Sequence, residues 1–573
     1  MVATTETFIR VADLAELQQT NCLTVQANGH TLVLFDYGDK IYAVDNRCPH
    51  MGFPLDRGTV KDGILTCHWH HARFDLASGG TFDQWADDIP AFPTQVRDGG
   101  VWVDLSPQGD AKDRHRGRLQ VGLERNISLV IAKAALVLLD DGGNAVEPFR
   151  VGLEFGARYR ETGWGQGLTI LTCLMNMMPH LDPEDRPRGL YHGLTAVASE
   201  TAGNAPRFGI KPLPTLSADI PTLKLWLRQF IEVRDDEGAE RCIVSALRAG
   251  ATPEQMADML FAAVTDHRYI QIGHPADFTN KAFEALDLAG WEYAEPVLTS
   301  LVRGYAMANR MEESNAWRNP IDLIDILDRA FAALPDGLAT ERGGWNGRDA
   351  LVNTLLEDDP QASVDALLDA LRAGATAVEL ASTVSYAAAL RIARFHTSNE
   401  FGDWDTALHT FTFANAIEQG LRRAPSAELL RGVFDAAMSI YLDRFLNIPP
   451  ARLPQPNGAS PALDDLPELL NNQQQVNEAG RLVAHSLYAG ADPARLLAML
   501  GKLLLREDRD FHTIQCVEAA FRQYQLLGPG EAGTHVLVAA ARYLAAHAPT
   551  MRAQGQTFQI ARRLHRGENL FEG

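Results

Sequence analysis

Cys48-Pro49-His50-Met51-Gly52 and Cys67-His68-Trp69-His70, with sixteen residues between His50 and Cys67, decide how the first fifth of the chain is read. The pattern is C-x-H-x16-C-x-x-H. Each half is a short loop that presents one sulfur and one imidazole nitrogen. The surroundings have strand character. Leu23 to Ala27 alternates, Thr31 to Phe35 is rich in β-formers, and Lys40 to Val44 runs straight into the first loop. Gly99-Gly100 sets up a turn before Val101-Trp102-Val103. These signals predict a small antiparallel all-β domain over residues 1–105.

Two thiolates and two imidazoles at this spacing suit a [2Fe–2S] cluster of mixed ligation, with Cys48 and Cys67 on one iron and His50 and His70 on the other. Neutral imidazoles in place of two anionic thiolates raise the potential above that of an all-cysteine cluster. The competing reading is zinc. Zinc sites usually keep like ligands together, as C-x2–4-C and H-x3–5-H, and the mixed halves here argue against it. His68 and His71 stand beside the ligand positions and are read as surface or supporting groups.

Residues 6–105 resemble the Rieske ferredoxin-like domain family, on the residues Cys48 to Gly52 and Cys67 to His70. That family includes soluble ferredoxins, nitrite reductase small subunits and the front domains of Rieske oxygenases. High-potential members carry an extra cysteine in each loop and a Gly-Ser-x-Tyr stretch beside the cluster. Here His71-Ala72-Arg73-Phe74 takes that place, and Cys48 and Cys67 are the only cysteines nearby. The resemblance therefore implies a low-potential cluster of ferredoxin or oxygenase type.

The chain has 573 residues, enough for several domains, and 46% of them are hydrophobic. A net charge of −21 disfavours nucleic acid and anionic membrane as partners. Cys22, Cys173, Cys242 and Cys516 show no pairing pattern, which fits a reducing compartment. No basic-then-apolar leader and no run of eighteen apolar residues stands out, so a cytoplasmic protein is expected.

Ser106 to Arg118 is polar, with Gly and Pro, and reads as a linker. From residue 119 to 573 apolar residues recur three and four apart, predicting a large all-α domain. It repeats internally. Leu247-Arg-Ala-Gly-Ala-Thr252, Leu371-Arg-Ala-Gly-Ala-Thr376 and Leu487-Tyr-Ala-Gly-Ala-Asp492 each end one helix at Gly and cap the next. The copies lie 124 and 116 residues apart, so each unit holds several helices. Counted from these repeats, His396 and His512 fall at equivalent places, and His274 lies two positions off. His192 and His409 open similar small-residue helices. Carboxylates lie near, among them Asp266, Asp405 and Asp510. His192, His274, His396, His409 and His512 are thus the candidates for catalysis or for an additional iron. The alternative is that they cap helices or pack at repeat boundaries.

The Asp-x2-His-x3–5-His segment that holds mononuclear iron in Rieske oxygenases is missing, so the second domain is not the usual oxygenase domain. Leu190 to Ala196 and Leu408 to Ala416 look like the His-centred helices of questin-oxidase-like proteins, a helical family linked to oxidative opening of polyketide quinones. Gly163-Trp-Gly-Gln-Gly167 lacks a preceding strand and reads as a turn. With no flavin or nicotinamide fold apparent, a separate reductase or ferredoxin is expected as electron donor. The expected function is a Rieske-dependent oxidoreductase, monooxygenase-like, whose cluster feeds a site acting on a small organic substrate. The alternative is an electron-transfer or redox-sensing protein with a helical docking scaffold.

Overall fold

The computed structural model describes residues 7–106, 111–215, 218–334, 344–456, 462–568 and 570. The chain divides into two compact units, residues 1–148 with 553–573, and residues 149–552.

The first unit carries ten strands: β1 (Phe8–Asp13), β2 (Cys22–Ala27), β3 (His30–Tyr37), β4 (Lys40–Asp45), β5 (Thr59–Lys61), β6 (Ile64–Thr66), β7 (Arg73–Asp75), β8 (Ala91–Phe92), β9 (Thr94–Arg97) and β10 (Gly100–Asp104). They pair antiparallel in three sheets, ordered β1-β10-β9, β2-β3-β4-β8 and β5-β6-β7. Alternation along β3 divides the core. Leu32 and Leu34 join Val101 and Val103 in one cluster. Val33 and Phe35 point the other way, into a second cluster with Leu65, Phe74, Cys48 and Cys67. A period-two strand buried on both faces thus supplies the floor on which both ligand loops rest.

The expected antiparallel β domain followed by a large helical region is what the chain adopts. The unit boundary differs from the sequence reading. Of the expected linker, residues 107–110 lie outside the described residues, and 111–118 open the helix Ala111–Arg125. A second helix, Ser128–Leu139, packs against it, and the helix Ala553–His565 packs against this second helix. Arg118 and Lys133 tie these helices to the β loops, which is why the first unit continues to residue 148.

The second unit is helical. Its three repeated helix ends adopt one geometry. Gly250, Gly374 and Gly490 take φ of +82°, +97° and +83°. The amides of Ala251, Ala375 and Ala491 reach back to the carbonyls of Ala246, Ala370 and Ser486 at 3.0, 2.9 and 2.9 Å. Each is a Schellman stop, which satisfies carbonyls the helix end leaves free. Thr252 and Thr376 then close capping boxes on the next helices, and Asp492 caps the third. The Pro-rich stretch Ile448 to Pro467 runs into the short helix Leu466–Leu469; its residues 457–461 lie outside the described residues. Among the described residues no helix is long and apolar enough to cross a membrane.

Three helices carry His274, His409 and His512: His274–Ala289, Phe401–Arg423 and Phe511–Leu527. The middle one packs against the other two.

A β-carbon at Gly490 would meet nothing within 4 Å, so its substitution tests backbone preference alone. Gly490→Ala is expected to destabilise the helical unit by about 1 kcal/mol, the cost of a left-handed L-residue, read as a lower midpoint in urea unfolding.

Candidate functional site

The two loops of the β domain are closed by the same hydrogen bond. Cys48 N–H donates to the Phe53 carbonyl at 2.8 Å, and Cys67 N–H to the Ala72 carbonyl at 2.9 Å. Each bond spans five residues and leaves the loop crown projecting. Cys48 and Cys67 are buried, at 2% and 1% exposure. Their thiols hydrogen-bond each other; that bond draws the Cys67 pKa down to about 6 and pushes Cys48 up. His50 and His70 meet edge to face, with ring centroids 4.7 Å apart. Trp85 packs on His50 at 4.6 Å. Burial, then His70 and Lys133, hold the His50 pKa down to about 4, with Asp87 acting the other way. Sulfur therefore pairs with sulfur and imidazole with imidazole, which is the sorting a mixed-ligand diiron cluster requires. His68 pairs with Thr59, and His71 is exposed with φ of +63°. Neither points into the ligand set.

Of the five histidines singled out in the helical region, three come together. His274, His409 and His512 place one nitrogen each within 4.8 Å of one another, the only such group among the described residues. His409 and His512 approach at 3.1 Å between Nε2 atoms, and the His274 and His409 rings lie 4.7 Å apart, nearly perpendicular. Burial, followed by the neighbouring imidazoles, depresses His409 to about 3 and His274 to about 4. Both are neutral at ordinary pH and present lone pairs. The other two stand elsewhere. His192 is buried in the helix Arg186–Thr201, with Nε2 lacking a hydrogen-bond partner. His396 follows the helix Ala377–Ala393 and turns its Nδ1 to the Ser398 hydroxyl at 2.6 Å. The repeat count thus identifies His274 and His512, while His409, thirteen residues after His396, supplies the third nitrogen.

Local backbone explains how His274 arrives. Tyr269, Gln271 and Ile272 all have positive φ, at +40°, +46° and +51°. Gln271 and Asn309 bind each other twice, at 2.7 and 2.8 Å, and hold this turn. Gly273 follows at φ +93°, where a β-carbon would lie 2.8 Å from Phe413 Cβ. Only glycine brings the start of the His274 helix this close to the helix Phe401–Arg423. Strain of this kind is concentrated at working sites.

Below the histidines a polar row joins the same helices. His274, Asp277, Lys281 and Glu284 share one helical face, as do His512, Gln515 and Glu518. Gln515 donates to Asp277, while Lys281 donates to Glu518 and, at 2.9 Å, to Glu284. Burial raises the Asp277 carboxyl to about 7. Lys281 is held charged: burial opposes the charge, and Glu284 and Glu518 outweigh it. Sequence reasoning missed this row. Its signal was polar residues at one-face spacing inside helices that are otherwise apolar.

A cavity of about 590 Å³ opens beside His409 and Asp405. Tyr269 and Trp317 form its aromatic wall, with rings stacked at 5.9 Å. Asp443 lines its polar end, accepts from Thr410 Oγ1 at 2.6 Å, and is raised to about 7 by burial. Asp405 lies 3.7 Å from His512 Nδ1 and accepts from the Tyr543 hydroxyl. The carboxylate thus faces the Nδ1 edge of the His512 ring, beyond hydrogen-bond distance.

Comparison with known proteins bears on the first unit. Residues 7–93 match the Rieske [2Fe-2S] domain family. The ferredoxin component of the naphthalene 1,2-dioxygenase system of Pseudomonas aeruginosa is 29% identical over 103 residues, 18% of this chain and 99% of that protein. The ferredoxin subunit of the 3-phenylpropionate/cinnamic acid dioxygenase of Photorhabdus laumondii subsp. laumondii is 30% identical over 79 residues, 13% of this chain and 75% of that protein. Among solved structures, the ferredoxin of carbazole 1,9a-dioxygenase from Nocardioides aromaticivorans IC177 shares 26% identity over 17% of this chain and 97% of its own, with a TM-score of 0.16.

Because His68 and His71 face away from the ligand set, His68→Gln and His71→Gly are expected to keep iron content at the wild-type level. Stability should stay within about 0.5 kcal/mol. Iron analysis and thermal melting of both variants check this.

Proposed function

Through residues 7–93 the chain belongs to the Rieske [2Fe-2S] domain family, and on that premise we propose that it is an oxidoreductase of oxygenase type. In this reading the β domain takes electrons from a separate reductase or ferredoxin and the helical unit uses them on a small organic substrate.

Cys48 and Cys67 would hold one iron and His50 and His70 the other; a bound cluster supplies single-electron transfer. The fit rests on the pairing of thiol with thiol and imidazole with imidazole, and on the two loops closed by matching hydrogen bonds.

The observation that carries the oxidative half of the reading is the convergence of His274, His409 and His512. Imidazoles grouped this closely suit a single iron with open positions, and a bound iron would supply dioxygen activation. Gly273 sets the approach of His274, and the Asp405 carboxylate lies beside His512. The cavity beside His409 would receive the substrate, with Tyr269 and Trp317 covering its apolar part and excluding water. Asp443, poised near neutrality and bonded to Thr410, would hold or release a proton at the polar end.

Purified anaerobically, the chain is expected to hold about three irons, two in the cluster and one on the histidines. His409→Ala or His512→Ala should remove one iron and leave the Rieske EPR signal intact. Cys48→Ser should abolish that signal. Two irons in the wild-type chain, unchanged in both histidine variants, would sink the metal site and leave a carrier attached to a helical scaffold.

A further inference from the structure

Lys133 is the only charged residue in the otherwise apolar helix Ser128–Leu139, and it is buried, at 8% exposure. A buried ammonium costs several kcal/mol unless it is paired and hydrogen-bonded. The partners it has are informative. Its Nζ donates to the carbonyl of Pro49, the residue between Cys48 and His50. It also donates to Asp87 Oδ2 at 2.9 Å.

Asp87 is shared. Arg118 Nε, from the neighbouring helix Ala111–Arg125, donates to its other oxygen at 2.9 Å. Its Nη2 donates to the carbonyls of Gln84 and Ala86, both at 2.7 Å. Those two residues flank Trp85, whose ring packs on His50. One three-charge chain thus holds both the first ligand loop and the indole that covers its histidine. No feature of the β fold itself demands it, because both cations come from helices that follow the domain.

We infer that Lys133 is a positioning residue for the cluster: its charge, moderated by Asp87, raises the reduction potential of the electron inlet and clamps the Cys48-Pro49-His50 loop. A cation bonded to a ligand-loop carbonyl favours the reduced cluster, which carries one more negative charge. Asp87 acts in the opposite sense. Lys133, Asp87 and Arg118 together leave one net positive charge beside the loop. Removing Lys133 therefore takes away a positive charge, and neutralising Asp87 removes a negative one. The two changes must move the potential in opposite directions, whereas loss of a merely structural brace would move both the same way.

The inference rests on the cluster lying between the two loops. It is tested by EPR-monitored redox titration of the full chain, comparing wild type, Lys133→Met, Lys133→Arg and Asp87→Asn. Lys133→Met is expected to lower the midpoint potential and Asp87→Asn to raise it. Each change should be about tenfold in the reduction equilibrium, or about 59 mV for a one-electron couple. Lys133→Arg, which keeps the charge, should stay near wild type. An unmoved potential in Asp87→Asn, or a shift of the same sign in both neutralising variants, would overturn the inference. If Lys133→Met fails to assemble a cluster, Asp87→Asn still decides by the sign of its shift. A wild-type chain with no Rieske signal would instead overturn the cluster assignment itself.

Discussion

Three part-buried imidazoles within 4.8 Å of one another cannot all carry protons, and much of the surrounding helix packing bears on that constraint. Burial opposes the first charge and repulsion between imidazoliums opposes a second, which is why His274 and His409 are held below the usual range. Grouped neutral nitrogens need something positive to share, or the group is merely crowded. The rest of the architecture is built to keep them grouped. A strained turn and Gly273 deliver His274. Asp405 stands behind His512. The Asp277–Gln515 and Lys281–Glu518 pairs lock the two outer helices in register a turn or two below. Buried polar pairs of this kind add little net stability but strongly penalise a slipped register.

The β unit solves a related problem with less material. Two loops must present sulfur beside sulfur and nitrogen beside nitrogen. Each is closed by one amide reaching five residues ahead, from Cys48 to Phe53 and from Cys67 to Ala72. The floor beneath them comes from β3, whose alternating side chains serve two cores. The helices after the domain then add charge at the first loop through Lys133 and Arg118. The inlet is therefore framed by residues that a ferredoxin-length chain would not contain.

Much of this was legible in the sequence. The cysteine–histidine spacing named the first site outright, because ligand chemistry leaves few alternatives at that spacing. The strands around it followed from alternation. The three Leu-x-Ala-Gly-Ala caps were readable because Gly in a left-handed stop and Thr or Asp at the next cap are local requirements. What was not legible depends on contacts between distant segments. His409 joins His274 and His512 only because three helices pack together, and the repeat count pointed to His396 instead. The polar row was visible only as an oddity of spacing. Lys133 was not singled out in the sequence, and its partners, Pro49 and Asp87, lie more than forty residues away in the chain.

The central claim is that one chain holds an electron inlet and a separate oxidising metal centre. Anomalous diffraction at the iron edge, from crystals of the anaerobically purified chain, tests it most directly. The account predicts density for a cluster between Cys48, His50, Cys67 and His70, and a separate single peak within bonding distance of His274, His409 and His512. A cluster peak with no density among those three histidines would contradict it.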